Sequence, residues 1–243
     1  MDRSGRTPDT VAVTGASGFV GRKLVATASR RGLTIRPILR SADPALPHDI
    51  ISGDLADLPT LGEALAGARI LIHLAARAHV TRERSAEAAE LYWRSNVLAT
   101  QRLGQAAADV GIEHVVFLSS AKVNGEQTSR DQSFSPSDTP CPVGLSGETK
   151  AEAEIQLQNL ADAKGFGLTI IRSPLVYGAN VRANMATLVR AVDHSFPLPF
   201  VRVDNRRSFI GHNNLVDILL LSAGRKERSI FLRVTATTCR RPN

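Results

Sequence analysis

Glycines at 15, 18 and 21 follow directly on the run Val11, Ala12, Val13 and Thr14. An apolar-faced helical pattern then continues through Phe19, Val20, Leu24 and Ala28. A strand that breaks on this spacing and opens a helix reads as the first βα turn of a dinucleotide-binding sheet. Gly15 lets the chain turn tightly. Gly18 lets backbone N–H groups approach a pyrophosphate, and Gly21 lets the helix lie close on the strand. Ser17, Phe19 and Val20 stand between and beside these glycines and belong to the same candidate cofactor turn. Phosphates held there meet a helix N-terminus, where unpaired N–H groups and the dipole favour negative charge. An ordinary βα turn with chance glycines is the plain alternative.

Strand-like and helix-like patterns alternate along the rest of the chain, which predicts an α/β fold with a doubly wound parallel sheet. Strands are expected at 34–39, 50–51, 69–74, 114–119 and 168–171, and helices at 59–66, 84–110 and 147–164. Residues 124–146 hold three prolines (Pro136, Pro140, Pro142) with little periodicity, and read as a long loop. From about 175 the alternation weakens, which predicts a smaller, mostly irregular second lobe at 175–243 after a dinucleotide-binding unit at 1–174.

With 43% hydrophobic residues the chain can bury a sizeable core. No apolar run approaches the ~20 residues of a membrane span. The polar start MDRSGRTPDT has no apolar signal core, which predicts a cytoplasmic protein. Cys141 and Cys239, the two cysteines, lie far apart and outside any metal-ligand spacing. The net charge of +7 raises the question of nucleic acid. The basic residues are scattered, however, and no aromatic-interleaved stripe exists, so a phosphate-bearing small ligand is the expected partner, with no nucleic acid and no membrane.

A train of motifs adds to this reading: TGASGFVG at 14–21, GDL at 53–55, HLAA at 73–76, SNV at 95–97 and FLSSAKVNG at 117–125. SGETKAEAE at 146–154, IRSPLVYG at 171–178 and NRRSFI at 205–210 continue it. In this order they resemble the extended short-chain dehydrogenase/reductase family of the NAD-dependent epimerase/dehydratase type, over residues 11 to about 222. The runs ARAHV, LSSAKVNGE, VYGANVRANM and PLPFVRVDNRRSF are similar to bacterial nucleotide-sugar 4-epimerases and 4-reductases of surface-polysaccharide synthesis, among them reductases forming UDP-N-acetylquinovosamine.

The resemblance implies a Rossmann-type sheet with a smaller, incomplete C-terminal substrate lobe, NAD or NADP as cofactor, a UDP-sugar or related nucleotide sugar as partner, and a homodimer as an option. Asp54 would accept a hydrogen bond from the adenine amino group; the plain alternative is a helix cap before Leu55 and Ala56. Leu55, Leu74, Ala75, Ala76, Ser173 and Pro174 would line the cofactor, though small residues at 75 and 76 also suit simple close packing. Asn96 would order the active-site strands, or be a polar helix residue. Ser120, just past a buried strand, would bond the sugar 4-oxygen, while Ser119 is read as structural. Lys150 would hold the nicotinamide ribose; outside the motif train it would read as a solvated charge. Arg207 would clamp the substrate diphosphate, beside an exposed Arg206, and Asn184 would share that pocket. The Arg206–Arg207 pair also reads as a solvated basic pair.

Three departures stand out. Four residues before Lys150 the resemblance implies a catalytic tyrosine, and Ser146 stands there. A phenol ionises near pH ~10 and is tuned lower by a cation, whereas an aliphatic hydroxyl is not so easily tuned. Ser146 would then donate through a water, or binding would outlast catalysis. Arg40 ends the second strand where NAD-selective relatives carry an acid; it suits a 2′-phosphate or is a surface arginine. The tail SIFLRVTATTCRRPN parts from the family pattern. If its codons are written GC-rich and read in a shifted frame, the run from Val234 to Asn243 can become Asp-Gly-Asp-Asp-Val-Ser-Thr-Pro-Glu, which resembles the family's continuation. The expectation is a frameshifted, truncated product, with a divergent natural terminus as the alternative. The function expected is nucleotide-sugar epimerase or 4-reductase, the rival a catalytically inactive dinucleotide-binding protein. Ala121 and Lys122 after Ser120 replace the Asp-Glu pair of a 4,6-dehydratase and count against that chemistry.

Overall fold

The computed structural model describes residues 10–46, 50–51, 53–57, 59–78, 85–128, 132–179, 181, 187, 190–196, 207–224 and 229–232. The elements run β1 (Val11–Thr14), α1 (Phe19–Arg30), β2 (Ile35–Leu39), β3 (Ile50–Ile51), α2 (Leu61–Leu65), β4 (Ile70–His73) and α3 (Ala86–Trp93). A π-helical turn (Arg94–Leu98) joins α3 to α4 (Ala99–Asp109). There follow β5 (His114–Ser120), a 3₁₀ turn (Ala121–Val123), α5 (Gly144–Lys164), β6 (Gly167–Ser173), β7 (Leu175–Tyr177), β8 (Phe209–Gly211), α6 (His212–Ala223) and β9 (Ser229–Leu232).

Seven strands form one sheet in the order β3-β2-β1-β4-β5-β6-β9, and every pairing is parallel. The chain winds outward from β1 to β3, then crosses back and continues from β4. The order therefore reverses between β1 and β4, and a crevice opens at their carboxyl ends. All four residues of β1 are buried, as a central parallel strand covered on both faces requires. On one face Leu65, Leu103, Ala107, Leu157 and Ala161 from α2, α4 and α5 pack on Leu71, Val115 and Ile170. On the other, Leu24, Val25 and Ala28 of α1 and Leu215, Val216 and Leu219 of α6 pack on Val11, Val13, Ile72 and Val116. Three layers result.

Several boundaries differ from the expectations. The helical stretch expected at 84–110 is broken by the π turn, and Ser85 caps its start by accepting from the Ala88 N–H at 3.2 Å. Helix α5 begins three residues before the expected 147, so Ser146 lies within its first turn. Strand β6 runs on through Arg172, which the apolar pattern excluded but an ion pair buries. The segment past 174, expected to be mostly irregular, supplies α6 to the core and β9 to the main sheet. The apolar stripe of α6 (Leu215, Val216, Leu219, Leu220, Ala223) has helical spacing, but no strand pattern around it signals where it packs. Among the described residues no helix is long and apolar enough to cross a membrane.

Candidate active site and cofactor cradle

Three glycines shape the end of β1. Gly15 has φ +69°, and a Cβ there would stand 2.7 Å from the Ala75 nitrogen and 2.8 Å from the Leu74 carbonyl carbon. The turn after β1 therefore touches the end of β4 at the point where strand order reverses. At Gly21 a Cβ would lie 2.2 Å from the Gly15 oxygen, so α1 packs directly on the turn. Gly18 caps α1 in an extended conformation, and its N–H donates to the Gly15 oxygen at 3.0 Å. A Cβ on Gly18 would meet only that oxygen, at 3.1 Å, and otherwise open space. No acidic residue stands in the first turn of α1 and no side chain caps it. The positive helix end is left for an outside anion, and the cradle fits a dinucleotide pyrophosphate. Ser17 and Gly18 are exposed at its rim, with Phe19 and Val20 half-buried behind them.

Under the cradle runs a directional hydrogen-bond chain. Thr100 Oγ1 donates to the Asn96 carbonyl at 2.6 Å, so it must accept from His73 Nε2, 2.9 Å away. His73 Nδ1 then accepts from Thr14 Oγ1 at 2.6 Å, and Thr14 Oγ1 accepts the Ala75 N–H at 3.4 Å. Burial first, and the charge of Lys150 second, hold the His73 pKa down to about 3. A neutral, single-tautomer imidazole thus ties β1 to β4 and to the π turn.

Asn96 is buried in that π turn. Its Oδ1 accepts the Arg77 N–H at 2.7 Å, and its Nδ2 donates to the Arg77 carbonyl at 3.1 Å and to Thr149 Oγ1 at 2.9 Å. It therefore joins the segment after β4 to α5, one residue before Lys150. Leu74 and Ala75 in that segment are half-buried and Ala76 is exposed.

Lys150 is 7% exposed. Its Nζ donates to the Leu118 carbonyl at 2.8 Å and lies 4.2 Å from the centre of the Phe117 ring. Burial lowers its pKa to about 7, against the opposing pull of Glu154. Ser146 stands one helical turn earlier on the same helix face, half-buried. Ser120 ends β5 and accepts the Lys122 N–H at 3.3 Å. At Gly147 a Cβ would be 3.0 Å from the Lys122 oxygen, so the start of α5 presses against the turn that follows Ser120. The carboxyl end of β5 and the first turns of α5 thereby gather Ser120, Ser146 and Lys150. Ser173 pairs in register with Ser120 on the neighbouring strand, and half-buried Pro174 follows it.

Other expected residues have local partners. Asp54 Oδ1 accepts the Ala56 N–H at 3.0 Å, and Oδ2 accepts from Arg94 Nε at 3.3 Å; Arg94 also pairs with Asp57. Half-buried Leu55 packs on the core beside it. Arg40 is exposed just past β2, and Arg207 is exposed just before β8. Asn184, Arg206 and the tail from 233 lie outside the described residues.

Besides the His73 chain, sequence reasoning missed a buried polar cluster around Arg172. Arg172 and Glu154, 4% and 3% exposed in their side chains, form a two-pronged ion pair with Nη2–Oε2 at 2.6 Å and Nε–Oε2 at 3.0 Å. Ser119 Oγ donates to the same carboxylate, which agrees with the structural part read for it. Arg172 Nη1 reaches Asn124 Oδ1 at 3.2 Å, and Asn124 Nδ2 donates to the Ser135 carbonyl at 2.9 Å. The signal was an arginine ending the apolar run Leu168–Ile171, since a buried charge needs a partner.

Comparison with known proteins agrees with this geometry. The NAD dependent epimerase/dehydratase family matches residues 11–230. The chain is 36% identical over 218 residues to a UDP-glucose 4-epimerase of Vibrio cholerae, covering 88% of this chain and 66% of that protein. It is 30% identical over 187 residues to the N-acetyl-alpha-D-glucosaminyl-diphospho-ditrans,octacis-undecaprenol 4-epimerase of Escherichia coli O157:H7, covering 76% of this chain and 54% of that one. The chain thus spans about half to two thirds of the length of these relatives. MoeE5, solved in complex with UDP-glucose and NAD, superposes with a TM-score of 0.82 at 30% identity, covering 94% of this chain and 77% of that one. With a glycine cradle at the β1/β4 reversal, a buried lysine on α5 and a family match along nearly all of its length, the chain belongs to the NAD dependent epimerase/dehydratase family.

Proposed function

We propose that the chain binds a nicotinamide dinucleotide, NAD or NADP, along the glycine turn and acts on the sugar of a UDP-sugar or related nucleotide sugar. The reaction class is 4-epimerisation or 4-keto reduction, in the cytoplasm and in the service of surface-polysaccharide synthesis. The observation that carries this reading is the contact of the Gly15 turn with Leu74 and Ala75 where the strand order reverses. The dinucleotide, when bound, supplies or accepts the hydride. The chain's own residues do the rest. The first turn of α1 takes the pyrophosphate, with Ala75 and Ala76 leaving room across the strand ends. Asp54 stands for the adenine and Arg40 for a 2′-phosphate. Lys150 holds the ribose and Ser120 places the sugar oxygen. Arg207 and Asn184 take the substrate diphosphate. In this division residues 1–174 bind the dinucleotide and a partial substrate lobe lies within 175–243, with α6 and β9 counted to the first unit by their packing. A homodimer is compatible with this reading.

Calorimetry with NAD, NADP and UDP-glucose tests the binding, and conversion of a UDP-sugar or its 4-keto form tests the chemistry. Failure to bind any dinucleotide refutes the reading. Dinucleotide binding without any sugar turnover supports the rival, a catalytically inactive binding protein, which Ser146 in the first turn of α5 favours.

A further inference from the structure

We propose that Lys150 is the group that gives and takes the proton in this site, through a water held by the Ser146 hydroxyl. The proposal rests on the function proposed above and assigns one of its steps. Interconversion of a carbinol and a ketone moves a proton as well as a hydride, so some group must carry it.

Among the described residues, the following groups near the end of β5 are committed elsewhere or do not ionise near neutrality. Ser119 donates to Glu154, and Glu154 is gripped by Arg172 on two sides. His73 has both nitrogens engaged beneath the cradle and is held neutral. Tyr92 is buried with the Arg77 guanidinium over its ring at 5.6 Å, and Tyr177 belongs to the separate β7–β8 pair. Ser120 and Ser146 carry aliphatic hydroxyls that do not ionise near neutrality. Lys150 differs from all of these. Its ammonium has three donors, and the hydrogen bond described for it uses one, to the Leu118 carbonyl. Its neighbours leave it poised. Phe117 presents a ring face, Glu154 on its own helix supplies a carboxylate already shared with Arg172 of β6, and His73 on β4 carries no charge. Lys122, in the turn against Gly147, adds a second cation nearby in sequence to Ser120. Burial brings Lys150 to about 7, so both protonation states are populated at neutral pH.

The proton balance is simple. A carbinol O–H breaks as its proton passes through the water to neutral Nζ, an N–H bond forms, and Lys150 becomes the ammonium. The carbinol C–H leaves with its electron pair to the dinucleotide, and the carbonyl forms. Reduction runs the same bonds in reverse.

Two measurements on the full chain test this. The first is an NMR titration of ¹³C-labelled lysine with bound dinucleotide, with Lys150→Gln to assign the signal. A transition near neutrality is expected, and one above about 9, toward the ordinary lysine value of ~10.4, overturns the proposal. The second is turnover of Lys150→Ala with and without small primary amines, with dinucleotide affinity measured separately by calorimetry. The expected loss is about 10²–10⁴-fold, partly recovered in proportion to amine concentration and basicity even when the dinucleotide is saturating. Turnover equal to the parent, or a loss that no amine recovers at saturating dinucleotide, assigns Lys150 to ribose holding alone and overturns the proton role. The titration stands without the variant should Lys150→Ala fail to fold. Absence of sugar turnover in every variant, Ser146→Tyr included, instead overturns the reaction and this proposal with it.

Discussion

Replacing Glu154 by glutamine gives the sharpest test of how the site is held. The substitution keeps shape and removes one charge. It leaves the Arg172 guanidinium 4% exposed and facing neutral side-chain acceptors, the amide oxygen of the new glutamine and Asn124 Oδ1. Breaking a buried pair by neutralising one partner costs about 3–5 kcal/mol, because the other charge stays desolvated and uncompensated. For a chain of this size each kcal/mol lowers Tm by roughly 2–4 °C, so a fall of roughly 6–20 °C is expected. Urea and thermal unfolding of Glu154→Met, Arg172→Met and the double variant Glu154→Met/Arg172→Met close a double-mutant cycle, with Glu154→Gln measured beside them. The double variant should lose much less than the two single losses added together, since no charge is then left buried. The residue of its loss should be about 1 kcal/mol for each neutral partner, Ser119 and Asn124, left without its bond. Losses under 1 kcal/mol for both single variants, adding without coupling, would refute the account of a desolvated pair. The change should also reach the active site, because Glu154 is the group that opposes the fall in the Lys150 pKa. The lysine should titrate lower still in Glu154→Gln.

Four further outcomes follow from the same geometry. Gly18→Leu should fold as the parent does but lose dinucleotide binding by calorimetry, whereas Gly21→Ala, whose Cβ would stand 2.2 Å from the Gly15 oxygen, should lose about 1–3 kcal/mol or more in urea unfolding. Unchanged dinucleotide affinity in Gly18→Leu would sink the cradle. Arg40→Asp should shift cofactor preference toward NAD by ~1–3 kcal/mol, and equal affinity of the parent for NAD and NADP would count against a 2′-phosphate role. Ser146→Tyr should raise turnover of a UDP-sugar roughly 10²-fold by placing a phenol one turn from Lys150; a parent already as fast as the variant contradicts the idea that serine limits catalysis. For His73 the folded pKa, about 3, lies below the ordinary 6.5. The unfolded chain therefore takes up the proton first, and stability present above pH 6.5 is lost as pH falls toward 3, by about 1.4 kcal/mol for each pH unit. The stability gap between parent and His73→Gln should narrow between pH 7 and pH 4, and a constant gap would show that the imidazole is not the linked group.

The sequence by itself determined the local grammar of this protein. Glycine spacing after a β-branched run can be read without a structure, because Gly15 and Gly21 answer to backbone geometry within a few residues of themselves. Parallel strands buried on both faces announce themselves as apolar runs, so β1, β4, β5 and most of β6 stand out in the sequence. The motif order implied the family and set Ser120, Ser146 and Lys150 in one site before any coordinates. Tertiary structure decided what depends on partners far along the chain. Arg172 lies inside β6 and not beyond it because Glu154, eighteen residues earlier, meets it in the core. The placement of α6 and β9 rests on packing against α1 and β6, which no local pattern encodes. Asn96 and His73 look like ordinary polar residues in sequence, yet their hydrogen bonds join β1, β4, the π turn and α5. The charge state of Lys150 was the least legible of all. A lysine on an Ala/Glu helix reads as solvated, and only the fold, by setting its ammonium against the Phe117 ring and the Leu118 carbonyl, removes the water that would have kept its pKa at the ordinary value.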